Sequence, residues 1–105
     1  MTDGVHVVLS NLREAARHHR EVSDYLRTVP ATHAAIQNSL DSLGPIFAGL
    51  RDAGRELLEQ RRQCYELQAD AHAAMADNLE ASADLWEQHE AEAAGRLERL
   101  RDDGR

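Results

Sequence analysis

The chain has 105 residues, with 19 acidic against 12 basic side chains and a formal charge of −7 at pH 7. That length allows one domain or one pair of long helices. The acidic balance excludes the basic stripe with which a protein grips nucleic-acid phosphates or an anionic membrane surface. All of the basic residues are Arg, and a single Cys, Cys64, excludes an intramolecular disulfide framework.

Hydrophobic residues make up 42% of the chain but aromatic ones only 4%. Ala and Leu dominate the apolar set, and these build thin helix seams rather than a thick core. The expected architecture is therefore all-α, a single domain over residues 1–105 formed as an antiparallel hairpin of two long helices. No apolar run approaches the roughly 18–20 residues of a membrane helix, so no integral membrane segment is expected. Met1-Thr2-Asp3-Gly4 lacks the basic and apolar regions of a cleaved secretory signal peptide.

Val5-His6-Val7 alternates as a strand would, so residues 5–9 read as an extended leader, with Ser10 as N-cap of a first helix over 10–43. Its apolar positions advance in steps of three and four through Val5, Val8, Leu12, Ala15, His19, Val22, Leu26, Val29, His33, Ile36, Leu40 and Leu43. Such a seam packs against a near-parallel or antiparallel neighbour. Pro30 removes a donor and crowds the preceding turn, which predicts a kink without loss of phase. Reversal is expected at Ser42-Leu43-Gly44-Pro45, with the turn at 44–45, where Gly44 can close one helix and Pro45 suits the first turn of the next.

The second helix is predicted over 46–101, with a frayed tail at 102–105. Its stripe reads Ile46, Phe47, Leu50, Ala53, Leu57, Cys64, Ala71, Met75, Leu79, Ser82, Trp86, Ala93, Leu97 and Leu100. Gly54 and Gly95 each weaken it by about 1 kcal/mol relative to Ala. Leu12, Val22, Leu26, Ile36, Leu40, Leu50, Leu57, Met75 and Leu79 are the residues expected in the core seam or facing a partner. A simple fold-back pairs Ser10 with residue 79 and leaves an overhang from 80 on the order of 30 Å long, carrying Trp86. Two thin helices bury too little to offset their ordering cost, so another helical protein or a self-copy is expected to cover the rest.

No motif for catalysis is present: there is no phosphate-binding loop, Cys–His signature or nucleophile turn. The reading is of a non-enzyme with no catalytic residues, no cofactor and no small-molecule substrate. The six histidines lack the three- or four-residue spacing that chelates a metal on one helix face, so no metal site is expected. His19 and His33 fall on the seam, where protonation would loosen packing. Glu14–Arg17, Asp24–Arg27 and Asp52–Arg55 read as solvated pairs along a helix. Cys64 reads as a small buried hydrophobe, with a disulfide across a symmetric dimer as the alternative. Trp86 stands over an acidic ladder of Glu80, Asp84, Glu87 and Glu90, which suits an apolar anchor entering a pocket with a basic rim. The alternative packs the indole on Val5, Val7 and Leu9 of the leader.

Taken in order, several of these features resemble the EspC-like substrates of the type VII (ESX) secretion system of actinobacteria. The landmarks are Leu12 and Ala16 before His18-His19, then Gly44-Pro45, then Met75-Ala76 and Leu79 leading to Trp86-Glu87-Gln88-His89-Glu90. The resemblance runs from the Val5-x-Val7 leader to about Ala93. It implies a small helical protein exported without a cleaved signal peptide, cytoplasmic before export and secreted or held at the envelope afterwards, with the secretion machinery among its partners. It also implies an export signal of the form Tyr-x-x-x-Asp/Glu just beyond the hairpin. Carried over, the aromatic position falls on Trp86 and the acidic one on Glu90, a departure in which Trp stands for Tyr. Tyr65 and Tyr25 do not supply the strict motif, because Ala69 and Val29 occupy the positions four residues on. The related Trp-x-Gly turn is also absent, and Leu43-Gly44-Pro45 takes its place. The second functional reading is a cytosolic helical adaptor or chaperone for a larger exported protein or toxin.

Overall fold

The computed structural model describes residues 2–104, with the side chains of residues 2, 3 and 5 outside that description. The fold is a helical hairpin: α1 spans Thr2–Thr28, a 3-10 turn Val29–Thr32, α2 His33–Asp41, a second 3-10 turn Pro45–Phe47 and α3 Ala48–Asp103. No strand occurs among the described residues. Pro30 sits in the first turn of the Val29–Thr32 segment, so the first arm breaks briefly and resumes, as its ring requires.

Two expected boundaries move. The leader at 5–9 is not extended; α1 already runs from Thr2, and Ser10 lies inside it rather than capping it. Val5, Val8 and Leu12 keep the three-four step of a helix, and the strand preference of β-branched residues is small enough for the helix to run through them. At the other end α3 continues to Asp103, beyond the expected 101. Arg105 of the predicted tail lies outside the described residues.

Packing divides the chain into two units, one of residues 19–74 and one joining the residues up to 18 with those from 75 onward. The first contains the reversal. Ser42 N–H donates to Asn38 O and Leu43 N–H to Leu40 O, both at 3.1 Å. Gly44 then takes φ +90° and ψ 176°, a region essentially closed to residues with a Cβ. Pro45 opens the next turn, closed by Phe47 N–H to Gly44 O at 3.2 Å. The reversal thus occupies residues 42–47, two residues beyond the expected Ser42–Pro45, and the arms pair in a later register than a simple fold-back at 44–45 gives. Asp41 accordingly faces Arg55, at 3.7 Å. Just beyond, a Cβ on Gly54 would lie 2.3 Å from Leu40 Cδ1. This glycine seats Leu40 and is not merely a weak point of the helix.

Further along this unit the Ser23 hydroxyl, itself buried, donates to Ala69 O at 2.8 Å. Arg27 reaches Asp70 at 2.7 Å, across the hairpin, instead of pairing with Asp24. The His19 and His72 rings stack with centroids 5.1 Å apart and Nδ1 atoms at 2.8 Å, so one ring donates and the other accepts. His33 is buried beside the Tyr65 ring. Arg62 donates to Glu59 and Glu66 on its own helix, and its hydrogen bond holds the Glu59 carboxyl below the usual carboxylate range. Such solvent-facing pairs add little to stability.

In the second unit Ala16, Ala76 and Ala83 are fully buried. The buried face of this unit is therefore built from small residues, whereas that of the 19–74 unit mixes Ser23 and Ala69 with His33 and Leu58.

Candidate functional site

The inner face of α3 is one residue later than the stripe inferred from its apolar pattern. Leu58, Ala69, Ala76 and Ala83 are buried, whereas Leu57 is 57% and Met75 49% exposed. The cause is compositional: Ala, Tyr65 and His72 occupy inward positions, while larger hydrophobes lie beside them facing water. Of the other predicted seam residues, Leu12, Val22, Leu26, Leu40 and Leu79 are half-buried, and Ile36 and Leu50 are exposed. The exposed four remain available to a partner. Cys64 is exposed rather than buried, with Gln68 Nε2 3.6 Å from its sulfur. Phe47 and Ile46 stand exposed at the reversal.

In the unit containing Trp86, the positions Ala76, Leu79, Ala83, Trp86, Glu90 and Ala93 follow one another in three-four steps. Ala76 and Ala83 are fully buried, Trp86 is 48% exposed, and Leu97 and Leu100 continue the phase with 68% exposed each. Glu90 and Ala93 are half-buried, so cover on this face runs out beyond Ala93, and Trp86 stands half-exposed within it. His89 meets the indole edge-on at 6.5 Å between centroids. Leu85, Trp86 and His89 line a shallow apolar hollow. Glu90, one turn on from Trp86, is half-buried. Val7 and Val8 remain exposed, so these two leader residues are not sealed under the ring; Val5 lies outside the described side chains.

Next to this patch, Arg13 of α1 reaches Asp84 at 3.3 Å and Glu87 at 2.5 Å. Two rungs of the acidic ladder are therefore neutralised within the chain. The same contact corrects the overhang: Asp84 and Glu87 lie past residue 80 and yet are held by α1. It reflects the register of the arms, in which Arg13 faces acids well beyond the position that a simple fold-back about 44–45 assigns to it. The groove around the clasp, lined by His6, Leu9, Ser10, Arg17 and Glu80, encloses about 630 Å³ and is open to solvent.

Among the described residues no group of three or more His, Cys, Asp or Glu could hold a metal ion. No helix among them is long and apolar enough to cross a membrane. The arrangement offers an aromatic ring and a carboxylate on one helix face, a chemistry of docking.

The sequence matches the family model described as the excreted virulence factor EspC of type VII ESX secretion, over residues 1–99. The chain belongs to the EspC family. The match takes in both arms of the hairpin and the Trp86–Glu90 face. The chain is also similar to the uncharacterized proteins Mb0028 of Mycobacterium bovis and Rv0027 of Mycobacterium tuberculosis H37Rv. Each is 59% identical over 105 residues, covering 100% of both chains. No solved structure matches. Within the EspC family, then, this hairpin is a member of a group of excreted type VII proteins.

Proposed function

We infer that this chain is itself a type VII export substrate, without enzymatic activity, which works by binding other proteins. The observation that carries this reading is the half-exposed indole of Trp86 one helical turn before Glu90, in a chain of the EspC family. Aromatic and acid share a face at four-residue spacing, the face a receptor in the secretion apparatus would grip. Trp supplies more apolar area than Tyr at the same site, and buried aromatic anchors of this kind dominate protein interfaces. After export the same helical surfaces are free for partners in the medium or at the cell envelope.

One observation favours the second reading, a cytosolic adaptor for a larger exported protein: Trp occupies the place of Tyr in the export motif. Expression of the tagged chain in a mycobacterial host, with and without a working type VII ATPase, separates the two. Export predicts an intact chain in the culture filtrate that disappears when the ATPase is inactivated. Retention in the cell under both conditions would leave only the adaptor reading.

A further inference from the structure

The outer surface of α3 in the 19–74 unit carries a second stripe. Leu50, Ala53, Leu57, Gln60, Cys64, Leu67, Ala71 and Ala74 follow one another in strict three-four steps, and all are exposed. Leu50, Leu57 and Leu67 are 51%, 57% and 70% exposed. None of the charged residues of this segment falls on the stripe, although Arg51, Asp52, Glu56, Glu59, Arg61, Arg62 and Glu66 surround it. It lies about 150° around the helix from the packed face, so the hairpin itself does not cover it, and it extends for about 36 Å. A seven-residue repeat without charges on a solvent face is the pattern of a coiled-coil seam awaiting another helix.

The flanks of the stripe identify the occupant. Glu56 and Asp70 border one side, and Arg61 borders the other. Asp70 is engaged by Arg27. Glu56 and Arg61 have no oppositely charged partner among the described residues; Arg61 instead reaches the Tyr65 hydroxyl at 3.3 Å and lies over its ring. In a parallel coiled coil each flank faces the opposite flank of the other helix, displaced by five residues. Glu56 of one copy then meets Arg61 of the other, twice by symmetry. An antiparallel pair would instead set each flank against its own copy, acid toward acid. Read along the sequence, the same phase next reaches Asn78, and a single Asn at such a position favours paired, in-register helices.

The geometry points to a parallel, in-register homodimer formed by this outer face of α3, with a second copy of the chain as the occupant. Like residues then face each other across the two-fold axis, Cys64 opposite Cys64 and Ala71 opposite Ala71. The inference does not depend on export.

The test uses the full chain. Sedimentation over a concentration series should show a mass rising from 11.7 kDa toward twice that value. Leu57→Glu/Leu67→Glu, whose side chains touch little within one chain, should stay monomeric with an unchanged helical spectrum. Treatment with the thiol oxidant diamide should join two copies through Cys64, and should do so equally in the Cys64→Ser/Ala71→Cys variant. A concentration-independent 11.7 kDa mass overturns the proposal, as does a dimer that survives the double Glu substitution. Cross-linking at only one of the two positions also overturns it, since an antiparallel or shifted pair cannot align both. A dimer without export would remove the secretion reading alone, and export of a strict monomer would remove this one alone.

Discussion

Trp86→Ala is expected to remove the protein from the culture filtrate while leaving its helical circular dichroism unchanged. The indole is 48% exposed and, among the described residues, its ring neighbour is His89 on the same helix, so truncation removes a surface anchor rather than core packing. Aromatic hot spots of this kind typically cost about 2 kcal/mol or more when cut back to Ala, roughly a thirtyfold loss of affinity. Glu90→Ala should act in the same direction, because it removes the charged half of the same helical face. Trp86→Tyr, which restores the aromatic residue of the family motif, should keep export. Leu100→Ala changes a more exposed hydrophobe further along α3 and should leave export intact. Undiminished export of both Trp86→Ala and Glu90→Ala would mean that the signal lies elsewhere in the chain.

Ala69→Leu should destabilise the hairpin by about 1–3 kcal/mol in denaturant titration, the usual cost of overfilling a close-packed site. Ala69 has no exposed surface, and its carbonyl accepts the Ser23 hydroxyl at 2.8 Å, so a larger side chain must push the two helices apart and stretch that bond. Ala71→Leu, two residues away on the side facing out of the hairpin, should fall within about 0.5 kcal/mol of its parent when both are compared in the monomeric Leu57→Glu/Leu67→Glu background, as surface substitutions usually do. Equal losses at both positions would place the inner face of α3 where its larger hydrophobes suggest, not where its alanines lie.

This contrast also explains what could be read from the residues in advance. The first arm announced itself through regular spacing: Leu12, Val22, Leu26, His33 and Leu40 carry large groups at inward positions. Gly44-Pro45 marked the reversal, because a positive φ and a helix-opening ring are local demands that hardly depend on tertiary contacts. The face of α3 was hidden for a physical reason. Close helix approach selects Ala at positions 69, 76 and 83, which carry almost no hydropathy signal, while Leu50, Leu57 and Met75 stand outside and dominate the pattern. The helical start at Thr2 is masked by Val5, Val7 and Val8, whose β-branching gives a strand preference too weak to stop a helix.

The candidate site was readable in part. Trp86 and Glu90 followed from the spacing of the family motif. Arg13 did not, since nothing local links it to acids more than 70 residues away; only the true register of the hairpin brings it to Asp84 and Glu87. That clasp leaves less free acidity beside the indole than the ladder of Glu80, Asp84, Glu87 and Glu90 suggests. In the proposed docking reading, recognition then falls mainly on the ring itself and Glu90. His72 was likewise unforeseen, because the apolar stripe placed Ala71 inside; the histidine facing His19 emerges only with the register corrected by one residue.

The account rests on an indole that a partner can reach. As the only Trp in the chain, Trp86 reports on itself, and acrylamide quenching of its fluorescence in the folded protein is the most direct measurement. Emission characteristic of a water-exposed indole, quenched efficiently without denaturant, is the predicted result. A blue-shifted emission that acrylamide reaches only after unfolding would show the ring enclosed and contradict the docking reading.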